Sequence, residues 1–258
     1  MKSPLKSKPL RNPGESLEFQ LDNLINEEML KYFIAAGLFI TIAMVEWVRW
    51  FNPSPPNPWL FTTIAFIVVL VAVLKIRSLI VKARNIKLGI DGEKAVGQYL
   101  DGMIEFGAKV LHDIPGIGFN IDHIVIHRNG VYVIETKTRS KPDRGETRLV
   151  YDGAAISKAG SQPDIRPIHQ VRAAKQWLAQ IVKESTGRDL PVKAVVVYPG
   201  WYIESTVEAR ASDVWVLNPK ALPSFILNSA PQITDEDVHL CAFHLKRYIR
   251  GISLGGKR

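Results

Sequence analysis

The sequence predicts an α/β domain preceded by two membrane-spanning helices, and three observations lead to this fold class. Two long apolar runs lie in the N-terminal third, over residues 32–48 and 59–74. From about residue 85 onward, β-rich runs alternate with segments of helical periodicity, which favours a layered α/β arrangement. The pair Asn129-Gly130 stands between two β-rich runs. This dipeptide is the strongest short signal for a two-residue β-hairpin.

Length and charge limit the possible functions without deciding between them. The 258 residues suffice for one large domain or two small ones, and the net charge of +8 suits a polyanionic partner. Much of the basic excess lies beside the apolar runs, where a membrane surface explains it equally well. Cys241 is the only cysteine, so the sequence predicts neither an internal disulfide nor a cysteine-based zinc site. The composition is compatible with a reducing cytosol.

The first 76 residues predict a polar tail followed by a helical hairpin. Residues 1–28 are polar and contain three prolines, which predicts a flexible tail, and the late first apolar run does not fit a signal peptide. Residues 29–76 predict a transmembrane hairpin, because each apolar run approaches the roughly 17–25 residues of a span and tryptophans flank both runs. The proline-rich stretch 52–58 cannot continue a helix and separates the runs. A pair of core helices in a soluble protein is the alternative.

The distribution of basic residues predicts the orientation of this hairpin. Several lysines and arginines follow the second run, whereas the loop between the runs is flanked only by Arg49. Because basic residues favour the cytoplasmic side, both termini are expected in the cytoplasm and the protein in the cytoplasmic membrane. Residues 77–88 predict a basic linker between the hairpin and the globular part.

A helical pattern opens at Gly89-Ile90-Asp91-Gly92-Glu93 and continues to about residue 104. Glu93 lies on the apolar stripe of this helix, so its carboxylate is expected to point inward. An inward carboxylate is costly unless it is paired, hydrogen-bonded or bound to a metal. The alternative is an ordinary acidic residue in the first turn, where the helix dipole favours it. The stripe comprises Val96, Tyr99, Leu100, Met103 and Ile104.

The hairpin around Asn129-Gly130 predicts a cluster of charged groups at its open end. A two-residue loop at this dipeptide pairs Arg128 with Val131 and places Asp122 opposite Lys137. Glu135 and Lys137 then share one face, and Asp122 lies diagonally from Glu135 at roughly 7–8 Å. Two carboxylates at this separation can hold one metal ion.

The residue types in this cluster suit phosphodiester chemistry. Mg²⁺ usually takes one or two protein carboxylates and completes its octahedron with water and phosphate oxygens. The ammonium of Lys137 could orient a metal-bound water or stabilise charge in the transition state. The alternative is a cross-strand ion pair of the exposed kind, which contributes only about 0–1 kcal/mol.

The remaining elements complete the alternating pattern. Strands are predicted near 109–112, 148–151, 192–198 and 214–217, and a final helix over about 234–249. A further helix begins at Pro167, which suits a first turn, and carries an apolar stripe that reaches residue 181. Gln170 lies in its opening turn, where a glutamine is usually exposed to solvent.

Taken together, these elements resemble the nuclease-related domain (NERD) family. The resemblance covers roughly residues 85–200 and rests on a glycine-flanked helical Glu, an Asp on one strand, a Glu-x-Lys on the next and a Gln on a following helix. It implies a restriction-endonuclease-like fold of the PD-(D/E)xK class, with a mixed central sheet flanked by helices. The segments that carry it are Gly89-Ile90-Asp91-Gly92-Glu93, Ile121-Asp122-His123, Val133-Ile134-Glu135-Thr136-Lys137 and Pro167-Ile168-His169-Gln170-Val171.

The resemblance also implies a site and a function. Asp122 and Glu135 would bind Mg²⁺ or Mn²⁺, Glu93 would support the metal shell, Lys137 would assist the water or the transition state, and Gln170 would complete the site. The implied activity is metal-dependent DNA cleavage by a nuclease-like domain over residues 89–200. Residues 201–258 are predicted to form an extension that packs on this domain. Two alternatives are a nucleic-acid-binding or scaffold domain without catalysis, and a membrane-assembly protein.

Overall fold

The computed structural model describes residues 11–52, 58–116, 118–140, 147–158 and 161–255. Residues 1–10 of the predicted tail and 53–57 of the proline-rich stretch lie outside this range. The chain divides into two compact units, one over residues 16–87 and the other over residues 88–258 together with the segment that ends at Glu15.

The unit over residues 16–87 is helical. Helix α1 spans Glu15–Asn23, a π-helical turn spans Leu24–Met29, and helix α2 spans Leu30–Trp50. The prediction of a flexible tail is therefore wrong for residues 15–28. Two features explain their order, since Leu24 is buried and Asn26 donates a side-chain hydrogen bond of 2.8 Å to Asp22 one turn earlier.

Helix α3 spans Pro58–Asp101 without interruption. Residues 77–88, which the sequence predicts as a basic linker, are helical, and no glycine or proline occurs among them to end the helix. Trp47 on α2 contacts Trp59 on α3 edge to face, with ring centroids 5.9 Å apart. By length and composition, two helices are apolar enough to cross a membrane, with 18-residue windows of mean hydropathy 1.7 and 2.6.

The second unit contains a central five-stranded mixed sheet in the order β1-β2-β3-β6-β8 within the described residues. Strands β1, β2 and β3 are antiparallel, whereas β3, β6 and β8 are parallel. The strands span Lys109–Pro115 (β1), Asn120–His127 (β2), Gly130–Thr136 (β3), Val192–Val197 (β6) and Val214–Leu217 (β8). A smaller sheet pairs Ile156–Ser157 (β5), Arg148–Tyr151 (β4) and Tyr202–Ser205 (β7) in that order.

Helices cover both faces of the central sheet. Helix α4, Arg166–Thr186, and helix α6, Asp235–Gly255, bury their apolar stripes with Ile124 and Val133 on one face. The C-terminal part of α3 and the short helix α5, Leu222–Leu227, pack with Val125 and Ile134 on the other. The predicted α/β fold, a mixed sheet flanked by helices and preceded by two long apolar helices, is confirmed.

The hairpin between β2 and β3 forms with a register different from the predicted one. His127 pairs with Gly130 and Ile126 with Val131, so the loop residues are Arg128 and Asn129. Asn129 is buried and donates through Nδ2 to the carbonyls of Ile226 and Leu227, at 2.8 and 3.1 Å. Its fixed side chain moves the loop by one residue, and Gly130 takes the positive φ of 134°. The pairing shifts by two residues, so the side chains keep their predicted faces.

Candidate active site

Strands β2 and β3 bring Asp122 and Glu135 together at the end of the hairpin. When the observed pairing is continued one residue beyond His123 and Ile134, Asp122 lies opposite Glu135. The predicted diagonal arrangement, with Lys137 opposite Asp122, is therefore wrong. The backbone N–H of Thr136 donates a 2.6 Å hydrogen bond to Oδ2 of Asp122 and fixes this carboxylate.

Glu135, Lys137 and Gln170 form a closed hydrogen-bonded triangle. Lys137 Nζ lies 2.7 Å from Glu135 Oε1 and donates to Gln170 Oε1 at 2.8 Å. Gln170 Nε2 donates to the same Glu135 oxygen at 2.7 Å. Gln170 reaches this position because it lies in the first turn of α4, and Lys137 because its backbone N–H donates to Val197 on β6. Gln170 is exposed, as expected for a glutamine in an opening turn, and its side chain nevertheless bonds to two members of the site.

Glu93 reaches the same group from helix α3. It is buried, accepts a backbone hydrogen bond from Gly14, and interacts electrostatically with Glu135 and Lys137. The preceding residue, Gly92, has no side chain, and this allows helix α3 to lie close to Thr138. A Cβ at position 92 would lie 2.0 Å from Cγ2 of Thr138. We call Glu93, Asp122 and Glu135 the carboxylate cluster.

Burial raises the pKa of each carboxylate in this cluster, and the charges of neighbouring carboxylates raise it further for Glu93 and Asp122. Desolvation is the largest cause for Glu93, followed by the charges of Asp113 and Glu135, and its pKa rises to about 7. The pKa of Asp122 is raised well above its ordinary value, first by burial and then by Glu135 and Glu93. Burial also raises the pKa of Glu135, against the lowering effect of Lys137. The single positive charge of Lys137 does not balance three neighbouring carboxylates.

The donor atoms of the cluster fit a hard divalent cation. All are carboxylate oxygens, the ligands that Mg²⁺ prefers, and such an ion usually takes one or two of them. Within the described residues, no group of three or more His, Cys, Asp or Glu side chains is arranged to hold a metal. The bonds above use Oδ2 of Asp122 and Oε1 of Glu135, and the second oxygen of each carboxylate takes part in none of them. A two-carboxylate site, with Glu93 in a supporting position, is therefore the arrangement that fits.

An N-terminal segment over residues 11–15, which the sequence reasoning missed, packs beside Glu93. Arg11 Nη2 forms a 2.8 Å ion pair with Oδ2 of Asp113, a buried residue with a φ of 50°. A Cβ on Gly97 would lie 2.6 Å from Pro13 Cγ, which shows how closely the segment follows α3. The prolines and charges of a polar tail do not indicate this contact, and Gly97 is the residue of α3 that allows the close approach.

The two histidines at positions 123 and 127 lie on the face of β2 opposite Asp122, because side chains alternate along a strand. His123 is fully buried on the opposite face of β2, where its Nδ1 lies 2.9 Å from Nδ1 of His112. His127 Nε2 lies 3.2 Å from the carbonyl oxygen of Phe106. Both serve packing and local hydrogen bonding.

The chain is similar to known proteins over part of its length. No curated protein matches the sequence. A solved structure of SfsA from Pyrococcus furiosus, in complex with Ca²⁺, shares 17% identity with a TM-score of 0.26, and the match covers 48% of this chain and 52% of that one. The chain thus spans about half the length of that SfsA chain. Residues 88–199 match the nuclease-related domain family, which accords with the restriction-endonuclease-like fold.

Proposed function

We propose that the protein is a membrane-anchored, metal-dependent DNA endonuclease. The observation that carries this proposal is the triangle of Glu135, Lys137 and Gln170 with Asp122 beside it, at the end of a mixed sheet. The family match over residues 88–199 supports the nuclease class. The reaction is hydrolysis, in which water attacks a backbone phosphorus and one P–O bond breaks.

Each residue of the site has a role that its position supports. Asp122 and Glu135 would hold Mg²⁺ or Mn²⁺, with Glu93 as the supporting carboxylate. The ion would supply a bound water of lowered pKa and neutralise charge on the phosphate. Lys137 stabilises the negative charge that develops on the phosphate oxygens. Gln170 holds both Lys137 and Glu135, so it fixes the direction of the ammonium group.

The membrane part of the proposal rests on the two apolar helices and on the basic residues that follow them. The spans of residues 29–76 would anchor the protein in the cytoplasmic membrane, with both termini and the nuclease-like domain in the cytoplasm. A reporter that fluoresces only in the cytoplasm, fused to the C-terminus, tests the orientation. Fluorescence supports it, and activity of a periplasmic reporter at the same position contradicts it.

The direct test of the activity is a cleavage assay with the full chain in detergent. Supercoiled, linear and single-stranded DNA are incubated with EDTA, Mg²⁺ or Mn²⁺, and the wild type is compared with Glu135→Gln. Glu204→Gln is the matched control, because Glu204 is an exposed acidic residue paired with Arg148 outside the site. We expect cleavage that requires both the metal and Glu135. Metal-dependent cleavage that persists in Glu135→Gln would overturn the mechanism.

A second candidate function is nucleic-acid binding without catalysis. The observation that favours it is the engagement of Glu135 by Lys137 and Gln170, together with the lack of a three-ligand metal group in the described residues. This candidate is supported if the folded protein binds DNA in a salt-dependent way but shows no cleavage in the presence of any divalent metal.

A further inference from the structure

A polar cleft of about 500 Å³ adjoins the carboxylate cluster on the side of α4. Lys137 and Gln170 line it, and so they face both the cluster and the cleft. The other side chains of interest in its wall are Arg139, Asp164, Arg166 and Tyr198. We call this surface the arginine cleft.

Arg139 is held in place from three directions. Its Nη2 donates to Oδ2 of Asp164 at 3.2 Å, and its guanidinium lies over the ring of Tyr198, 5.8 Å from the centroid. Trp201 Nε1 donates to its backbone carbonyl at 3.2 Å. Because the backbone and the guanidinium are both fixed, little side-chain entropy remains to be lost when this arginine binds an anion.

Arg166 is oriented by the same carboxylate. Its Nε lies 2.9 Å from Oδ1 of Asp164 and its Nη2 lies 3.1 Å from Oδ2. Asp164 in turn is fixed by two backbone hydrogen bonds with Ile156, which lies on β5, an edge strand of the small sheet. One aspartate therefore aligns two guanidinium groups, and with Lys137 the wall carries three cations against one carboxylate.

We propose that the arginine cleft binds a backbone phosphate of the DNA strand, next to the phosphate that is cleaved. This inference rests on the proposed function and adds a second contact point for the same substrate. Guanidinium groups match phosphate oxygens geometrically, and phosphate contacts of this kind set the position of a protein on DNA without reading its sequence. The shared lining by Lys137 and Gln170 makes the path from the cleft to the carboxylate cluster continuous for one strand.

The test is an equilibrium binding titration of the full chain in detergent with a fluorescent DNA duplex, in EDTA and over a series of salt concentrations. Arg139→Gln and Arg166→Gln are compared with the wild type. Arg172→Gln is the matched control, because Arg172 lies on the same helix as Arg166 and also pairs with an aspartate, Asp213, but does not line the cleft. Thermal melting checks that each variant is folded.

We expect each cleft variant to weaken binding about tenfold and to reduce the slope of log K against log salt by about 0.9, the value for one lost phosphate contact on duplex DNA. The control should keep the wild-type affinity and slope. Cleft variants that behave like Arg172→Gln would overturn the inference, as would a folded wild type without measurable DNA binding. Should Arg139→Gln unfold, Arg166→Gln alone decides, because Arg166 is 87% exposed at its side chain.

The cleavage assay separates this inference from the proposed function. If the cleft variants lose affinity for DNA and the wild type shows no cleavage with any metal, the cleft is a DNA-binding site and the proposed endonuclease activity is wrong. Normal metal-dependent cleavage with unchanged binding in both cleft variants would reject the cleft and retain the endonuclease.

Discussion

Asp122 and His123 are neighbours on β2, yet their side chains point to opposite faces of the sheet and belong to two different polar groups. Asp122 lies in the carboxylate cluster, which has a lysine and a glutamine at its edge and adjoins an open cleft. His123 lies in a closed pair with His112, whose Nε2 is 3.1 Å from Oδ1 of Asp101. Both groups contain a buried side chain, but the first adjoins a cleft lined by charged residues, whereas His123 is enclosed on the other face of the sheet.

The comparison shows that burial of a polar group does not by itself mark a reactive site. In the carboxylate cluster, acidic groups stand together, and Lys137 offsets only part of the repulsion that raises the pKa of Glu93 and Asp122. In the histidine pair, burial lowers the pKa of His123 well below its ordinary value, so this ring stays neutral and brings no charge into the interior. The predictions below test this difference, beginning with the largest effect.

Replacement of Lys137 by methionine should reduce the cleavage rate about 10²–10³-fold, the usual effect of losing one group that stabilises charge in a transition state. Metal binding should persist, because the lysine is not a ligand. The measurement is the single-turnover rate together with the shift of the melting temperature by Mg²⁺. Lys175→Met is the control, since Lys175 is similarly exposed and pairs with Asp213 outside the site. Loss of the Mg²⁺ shift in Lys137→Met would contradict the assigned role.

Replacement of Glu93 by glutamine should stabilise the metal-free protein at alkaline pH. The folded pKa of Glu93 is raised from 4.5 to about 7, so the folded state retains a proton that the unfolded state loses. The carboxyl therefore does not lower the free energy of unfolding below pH 4.5. Its destabilising effect grows as the pH rises toward 7 and then stays constant. At pH 8 the gain in the free energy of unfolding should be about 1–3 kcal/mol.

Urea unfolding in EDTA at pH 4 and pH 8 measures this difference between wild type and variant. The difference should be small at the acid end and large at the alkaline end. Saturating Mg²⁺ should reduce it, because a bound cation offsets the repulsion. A pH-independent difference would mean that Glu93 is not part of a charge cluster.

Replacement of Gly92 by alanine should cost about 1–3 kcal/mol of stability and lower the cleavage rate, because overpacking forces neighbouring atoms to move. The new Cβ would lie 2.0 Å from Thr138 Cγ2, one residue beyond Lys137. Gly102→Ala is the control, since nothing lies within 4 Å of a Cβ at that position. Chemical unfolding and the cleavage rate are measured for both, and equal behaviour of the two variants would contradict a close contact at Gly92.

Much of this architecture could be predicted from local sequence patterns, and the misses have a common cause. Alternation and periodicity identified β2, β3, β6 and α4, and the period of two placed Asp122 and Glu135 on one face even though the register was wrong by two residues. The register depended on Asn129, whose side chain is held by carbonyls almost a hundred residues later in the chain. No local rule for hairpin loops contains that information.

The same limit applies to the surroundings of the site. The resemblance suggested Gln170, but only the tertiary structure shows that it bonds to both Lys137 and Glu135. The contact of Arg11 with Asp113 and that of Arg139 with Asp164 join segments that are far apart in sequence and carry no motif. Patterns within one element are legible in the sequence, whereas contacts between elements depend on how the faces meet.

The smallest effect concerns His123 and has the opposite dependence on pH. Burial, and then His112, lower its pKa well below 6.5, so the folded protein keeps it neutral while the unfolded chain protonates it. The free energy of unfolding therefore decreases as the pH falls below 6.5, and the loss should reach about 0.8 kcal/mol at pH 6. His123→Gln removes this loss, so the stability difference between variant and wild type should grow toward acid pH, measured by urea unfolding at pH 6 and pH 8.

Cleavage at pH 8 should remain at the wild-type rate in His123→Gln, because the ring lies on the face opposite the cluster. If the variant folds normally but loses metal-dependent cleavage, the two faces of β2 are functionally coupled and the contrast between them fails. If cleavage persists while the acid dependence disappears, the histidine pair is confirmed as a packing element. The two neighbouring residues would then differ in function because Asp122 belongs to a group of carboxylates beside an open cleft, whereas His123 is a neutral ring enclosed on the other face.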